Sequence, residues 1–222
     1  VLAIGSECPH GPGMANSVPD MNVDASCELT GDLTDKVFLV DALVLSKPDD
    51  ALTLATLNPM WGQNIQNGGL MLIFKVLSHD AGTGEVVLEA GSGCYVDDTY
   101  VWHVAAAPLT VQLTGCSFET TEPSTLSIWP ASMNKAVIVS DLTVAGHFTP
   151  NASAITGAFL EGALAREDAE GLDVILGDFV IRIRDFFEGA GVDLDVDLDG
   201  DGEMDGWALA GQFAAQNLAS SQ

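Results

Sequence analysis

The sequence predicts a mainly β protein, an antiparallel β-sandwich or jelly-roll-like domain with one amphipathic helix packed on it. Three observations carry that expectation. Apolar runs of strand length recur along the 222 residues. Turn-forming residues separate them at intervals of about eight to twelve residues, the spacing of sandwiches and barrels. Only one long stretch, Asp173 to Glu188, has its apolar residues at helical spacing.

Taken in order, residues 1–35 are rich in Gly, Pro, Asn, Asp and Ser and show no sustained period, so they read as a loop region that only a staple would order. Residues 36–222 read as a single domain. Lys36 to Leu45 is β-branched and apolar on both faces, as a strand covered on both sides would be, and Lys47-Pro48-Asp49-Asp50 ends it. A short helix over Ala51 to Leu57, or over Trp61 to Gln66, precedes Gly68-Gly69. Leu70 to Leu77, the turn Ala81-Gly82-Thr83-Gly84 and Glu85 to Ala90 then form a hairpin pattern. Further strand-sized pieces run over Tyr100 to Ala106, Thr110 to Leu113, Thr125 to Trp129, Ala136 to Leu142 and Ile155 to Ala163. In the segment from about 173 to 188, Ile175, Leu176, Phe179, Val180, Ile183 and Phe187 would share a helix face, with Gly189 and Gly191 as the stop. Trp207 to Phe213 alternates as a closing strand.

Between that helix and that strand lies the most specific chemistry in the chain, Asp197-Leu198-Asp199-Gly200-Asp201-Gly202-Glu203-Met204-Asp205-Gly206. Calcium takes about six to eight oxygen ligands, and loops of EF-hand type supply them from alternate positions with a glycine at the sixth for the sharp turn. On that template Asp197, Asp199 and Asp201 take the first, third and fifth places and Gly202 the sixth. Glu203 offers its main-chain carbonyl and Asp205 stands at the ninth place, directly or through water. The bidentate acid expected at the twelfth place is Ala208 here. Asp193 and Asp195 extend the alternation upstream, for a second ion or for a shifted register beginning at Asp195 with Gly200 at the turn. The cofactor expected is therefore Ca2+, within a loop over 195–206.

Seven basic residues against thirty-two acidic ones leave a formal charge of −25, of which the seven carboxylates from Asp193 to Asp205 supply only a part. A field of that sign repels nucleic acid and anionic headgroups and favours divalent cations, basic partners or solubility in a saline habitat. No run approaches the length of a membrane-spanning helix. Val1-Leu2-Ala3-Ile4-Gly5 is too short for a hydrophobic signal core, so the sequence is expected to begin after processing. Cys8, Cys27, Cys94 and Cys116 form no CxxC pair and suit two loop-closing bridges, with Cys8 to Cys27 and Cys94 to Cys116 preferred among three connectivities because each then closes locally. An oxidising location, extracellular, cell-surface or periplasmic, follows from that expectation.

The decapeptide resembles the calcium loops of EF-hand, dockerin and thrombospondin type 3 proteins, a likeness of some ten residues that names a site and no fold. A looser likeness runs through Leu142-Thr143-Val144-Ala145-Gly146-His147-Phe148, Ile155-Thr156-Gly157-Ala158-Phe159-Leu160 and the acidic loop with its closing strand. It resembles exported proteins without assigned activity, often lipoproteins, of myxobacterial-type Gram-negative bacteria, and implies a cell-surface or periplasmic setting.

No catalytic constellation is apparent. His10, His79, His103 and His147 are scattered, Ser92 lacks the GxSxG context, and no catalytic residue is expected. The expected function is that of a non-enzymatic, calcium-stabilised exported structural or assembly protein of a surface layer, fibre or adhesive complex, which self-associates or binds other exported proteins. The alternative is a calcium-dependent carbohydrate-binding or carbohydrate-cleaving β-sandwich. It would stack glycans on Trp61, Trp102, Trp129 and Trp207, although such residues more often fill cores. Asn151-Ala152-Ser153 also matches a glycosylation acceptor.

Overall fold

The computed structural model describes residues 27–96, 99–102, 107–176 and 179–218. In chain order its elements are β1 (Val37–Lys47), α1 (Ala51–Gln66), β2 (Leu72–Asp80), β3 (Glu85–Val96), β4 (Thr99–Trp102), β5 (Ala107–Thr114), β6 (Ser117–Thr120) and β7 (Ser124–Ile128). They continue with β8 (Val137–Phe148), β9 (Ala154–Ala165), α2 (Arg166–Ala169), β10 (Asp173–Leu176), β11 (Phe179–Arg182), α3 (Ile183–Ala190) and β12 (Gly206–Asn217).

The mainly β character is as predicted, but the architecture is a closed barrel and neither a sandwich nor a jelly roll. Eight antiparallel strands run round it in the order β1, β2, β3, β5, β6, β8, β9, β12, and β12 returns to β1. Phe38 makes the closure concrete, because it pairs with Phe74 of β2 on one side and with Asn217 of β12 on the other. In-and-out alternation is the same in a sandwich strand and a barrel strand, so the strand patterns could not distinguish the two. Pairing of the first strand with the last made the difference. β4 extends β3 at one rim, and β7 flanks the first half of β8 where β6 does not reach.

One face of each of the eight barrel strands fills the interior. Phe38, Val40, Phe74, Val76, Val86, Leu88, Val111, Phe118, Val144, Leu160 and Phe213 belong to one continuous buried cluster. Between them Glu85, Gln112, Glu119, Thr143, Glu161 and Gln212 are exposed. An apolar interior with a charged exterior is the reverse of a membrane-spanning barrel, whose outer band is apolar. Among the described residues no helix is long and apolar enough to cross a membrane. Gly146 on β8 has a steric reason to be glycine: a Cβ there would lie 2.7 Å from the Cβ of Ala158 and 2.9 Å from Cζ of Phe118.

The two ends are closed differently. At the end formed by the short turns, Leu33 is buried beside an aromatic group in which Phe148 lies 5.3 Å from Phe38 and 4.8 Å from Phe118. There Cys27 is bonded to Cys116, with Cα atoms 5.5 Å apart and 89 residues of separation. The expected Cys8–Cys27 and Cys94–Cys116 pairing is thereby corrected; Cys8 and the side chain of Cys94 lie outside the described residues. Local loop closure favoured the expected pairing, whereas the β5–β6 turn carries Cys116 to the end where the chain enters the barrel. Thr30 donates its N–H to the Pro150 carbonyl at 2.8 Å and holds the same segment down.

At the opposite end α1 lies across the barrel and buries Leu57, Met60 and Trp61. It is one helix running through Pro59, where the sequence suggested two short candidates. The Asp50 side chain accepts from the Thr53 N–H at 2.7 Å as an N-cap, and this bond holds the Asp50 carboxyl below the usual range. Asn58 brackets the main chain of Leu45, accepting its N–H at 2.6 Å and donating to its carbonyl at 3.0 Å, at a bulge of β1.

The segment from Asp173 to Glu188 departs from prediction. It forms the β10–β11 hairpin followed by α3, and the long amphipathic helix is absent. Val174, Ile175, Val180 and Ile181 are β-branched, and Gly177-Asp178 between them is a two-residue hairpin signal that helical spacing masked. The stop stands where expected, with Gly191 left-handed at φ 76°.

Asp41 of β1 provides a test of burial. One of its carboxylate oxygens is buried without a hydrogen-bond partner, and burial pushes the pKa up despite a bond from Gln216. A raised folded pKa means the fold disfavours the charged form, so Asp41 costs stability as pH rises from the ordinary carboxylate value through the raised one. Asp41→Asn is expected to raise the melting temperature at neutral pH. The gain should vanish in differential scanning calorimetry below about pH 3.9, where the wild-type carboxyl is protonated in both states.

Candidate metal centre

The acidic loop spans the gap between α3 and β12, and its base is zipped before any ligand is considered. Val196 and Gly206 form an antiparallel bridge, and the Asp205 N–H donates to the Val196 carbonyl at 2.9 Å. The Trp207 indole N–H donates to the Val192 carbonyl at 3.2 Å, while Trp207 packs edge-on against Phe187 of α3 with centroids 5.2 Å apart. Leading into it, Glu188 of α3 accepts from Arg166 at 2.8 Å and from Arg184 at 3.1 Å, and these two cations hold its carboxyl below the usual range. Both ends of the loop are thus fixed to the barrel wall.

Within the loop the carboxylates fold the backbone around themselves. Asp197 accepts from the Gly200 N–H at 2.7 Å through one oxygen and from the Gly202 N–H at 2.9 Å through the other. Asp199 accepts from the Asp201 N–H at 3.1 Å and Asp201 from the Glu203 N–H at 2.8 Å. Gly200 at φ 77° and Gly202 at φ 93° supply the left-handed turns that other residues rarely adopt. The result brings one oxygen from each of Asp197, Asp199 and Asp201 within 4.8 Å of the others. A carboxylate oxygen that accepts one N–H keeps further lone-pair capacity, so these bonds position potential ligands without using them up.

The remaining candidates lie outside this trio. Asp205 accepts from the Leu198 N–H at 2.8 Å and ties the two arms of the loop. Asp195 accepts from the Ala208 N–H at 2.7 Å, across the base. Glu203 and Met204 are exposed at the tip, and Asp193 lies further back towards α3. With Asp195 turned to β12, the geometry favours the register in which Asp197 stands first. Ala208, where the twelfth-place acid would stand, is paired with Ala163 inside the barrel wall.

Other candidate residues are dispersed. Trp61 and Trp207 are buried in the core, and Trp129 is half-buried and donates to the Met133 carbonyl at 3.2 Å. Trp102 packs against a small cluster of Leu39, Met71 and Ile73. They form no exposed stacking platform. His147 meets Ser117 at 2.9 Å across β6 and β8, and His79 lies beside Asp32, so neither joins a metal cluster. His10 and His103 lie outside the described residues. Ser92 is buried and accepts from the Trp129 N–H at 2.8 Å. Asn151 is exposed in the β8–β9 turn, where its carbonyl oxygen accepts from the Ser153 N–H at 3.2 Å.

Fold and loop together define the class, an acidic, disulfide-bonded, eight-stranded antiparallel β-barrel with a carboxylate-lined loop before its last strand. No protein-family model, curated protein or solved structure matches the chain.

Proposed function

We propose that this protein is a calcium-stabilised exported barrel that serves as a structural or assembly component of a cell-surface layer, fibre or adhesive complex. The observation that carries the proposal is the convergence of Asp197, Asp199 and Asp201 within 4.8 Å in the loop that joins α3 to the strand completing the barrel. A divalent cation relieves repulsion among these carboxylates and fastens the start of β12. The Cys27–Cys116 bridge supports a compartment outside the reducing cytoplasm. No observation favours the carbohydrate alternative, whose motivating tryptophans pack inward or against neighbouring side chains.

Melting in millimolar calcium against chelator tests the metal half. A site of about 0.1 mM affinity, in 1 mM calcium, adds about 1.4 kcal/mol, or roughly 3–5 °C for a chain of this size. Asp199→Asn, whose amide oxygen can keep the bond from the Asp201 N–H, is expected to abolish the shift while leaving the chelated midpoint almost unchanged. Coincident wild-type midpoints, with no bound metal by elemental analysis, would defeat the reading.

A further inference from the structure

The outer face of α1 carries no charge. Its inner face buries Thr53, Leu57, Met60 and Trp61, while Ala51, Leu52, Ala55, Pro59, Gln63 and Gln66 are exposed, Leu52 by 62%. The solvent side of a surface helix is ordinarily charged. Here no Asp or Glu falls anywhere between Asp50 and Asp80, the longest such gap in a chain of net charge −25. Depletion of charge is what sets the core of an interface apart from the rest of a surface. Charges at the borders of this face are matched: Lys47 meets Asp49 at 3.3 Å, and in the neighbouring α3 segment Arg182 meets Asp185 at 3.7 Å. Gly62 adds an independent sign. Glycine weakens a helix interior relative to alanine, yet a Cβ on Gly62 would meet nothing within 4 Å. Among the described residues nothing asks for glycine there, whereas a second backbone approaching closely would.

The sign of the remaining surface selects the occupant. A basic partner is drawn to carboxylates and gains nothing from a face without any, whereas a partner as acidic as this chain needs such a face to approach. The exposed positions also match themselves on reversal. Turned antiparallel about Pro59, the helix sets Ala51 against Asn67, Leu52 against Gln66 and Ala55 against Gln63. Small or apolar residues of the first half thus meet the longer amides of the second. The two copies of Asp50 then stand at opposite ends, about 27 Å apart along the axis, more than two Debye lengths at about 0.1 M salt. We propose that α1 is the self-association surface. A second copy packs its own α1 antiparallel across it, on a two-fold axis through Pro59.

The proposal rests on the assembly reading above and names its surface. One helix face is small for an interface, so the dimer is weak, and repulsion between the two acidic bodies opposes it until salt screens them. Sedimentation equilibrium of the full chain, up to millimolar concentration and from low salt to about 0.5 M, is expected to show a dimer that tightens with salt. Ala55→Glu buries a carboxylate in the interface and should raise the dissociation constant about tenfold or more. Glu is a strong helix former, so the melting temperature should stay within a few degrees of wild type. Adding Gln63→Lys should restore the dimer, because positions 55 and 63 face each other across the two-fold axis but lie about 12 Å apart within one helix. Gln212→Glu, the same charge placed on the exposed wall of β12, should leave the dimer unchanged. A dimer indifferent to Ala55→Glu, lost equally in Gln212→Glu, or not restored by the second substitution overturns this surface but leaves the assembly reading standing. A monomer under every condition overturns both, including one that binds phosphatidylcholine vesicles through α1 instead. Repeating the series in chelator separates the outcome from that of the metal, because the helix pair does not require the ion.

Discussion

Replacing Cys27 and Cys116 together by alanine is expected to lower the stability of the barrel by about 4–5 kcal/mol, the chain-entropy value for a closed loop of this length. The bridge spans 89 residues, from the entry segment to the β5–β6 turn, and so encloses α1 and the strands up to β5. The cross-link confines the unfolded chain over all of them, which is why the expected effect is large. Denaturant unfolding of oxidised wild type against the double variant measures it, and a steeper m-value should accompany the loss as the uncrosslinked chain exposes more surface. A difference below about 1 kcal/mol would mean the entry segment contributes little to confining the chain.

Trp207→Ala is expected to cost a comparable 3–5 kcal/mol, roughly the range for a large aromatic removed from a packed core. Trp207 is fully buried, packs against Phe187, and donates its indole N–H to Val192 on the far side of the acidic loop. One side chain thereby joins α3, the base of the loop and β12. The substitution should also shrink the calcium-dependent melting shift, because an ion cannot hold together arms whose base has opened. Trp207→Phe keeps most of the volume and loses the hydrogen bond, so it should cost about 1–2 kcal/mol and retain most of that shift. Calorimetry of both variants in calcium and in chelator separates the packing effect from the metal effect.

The loop was legible because its signal is local. Alternating carboxylates with glycine at the turn are a short-range pattern, and the hydrogen bonds of Asp197, Asp199 and Asp201 to residues two to five positions along need no distant partner. Most strands were legible for the same reason, since each of β1, β2, β9 and β12 carries its own apolar alternation. β6 gives no signal of its own, because four residues beside a cysteine hold too few alternations. Over the β10–β11 hairpin the spacing predicts a helix, because apolar residues on both faces satisfy a helical period as easily as a strand's. The decisive cue was the Gly177-Asp178 pair between β-branched residues.

Neighbours within a few residues set the β content, the acidic surface and the carboxylate pattern of one loop. Tertiary structure alone decided that the strands close into a barrel, that Cys27 meets Cys116, and that four tryptophans leave no exposed platform. Each depends on segments tens to almost two hundred residues apart, as when Phe38 pairs with Asn217. Sequence periodicity states which face of a strand is apolar, and only packing of the whole chain settles which other face it meets.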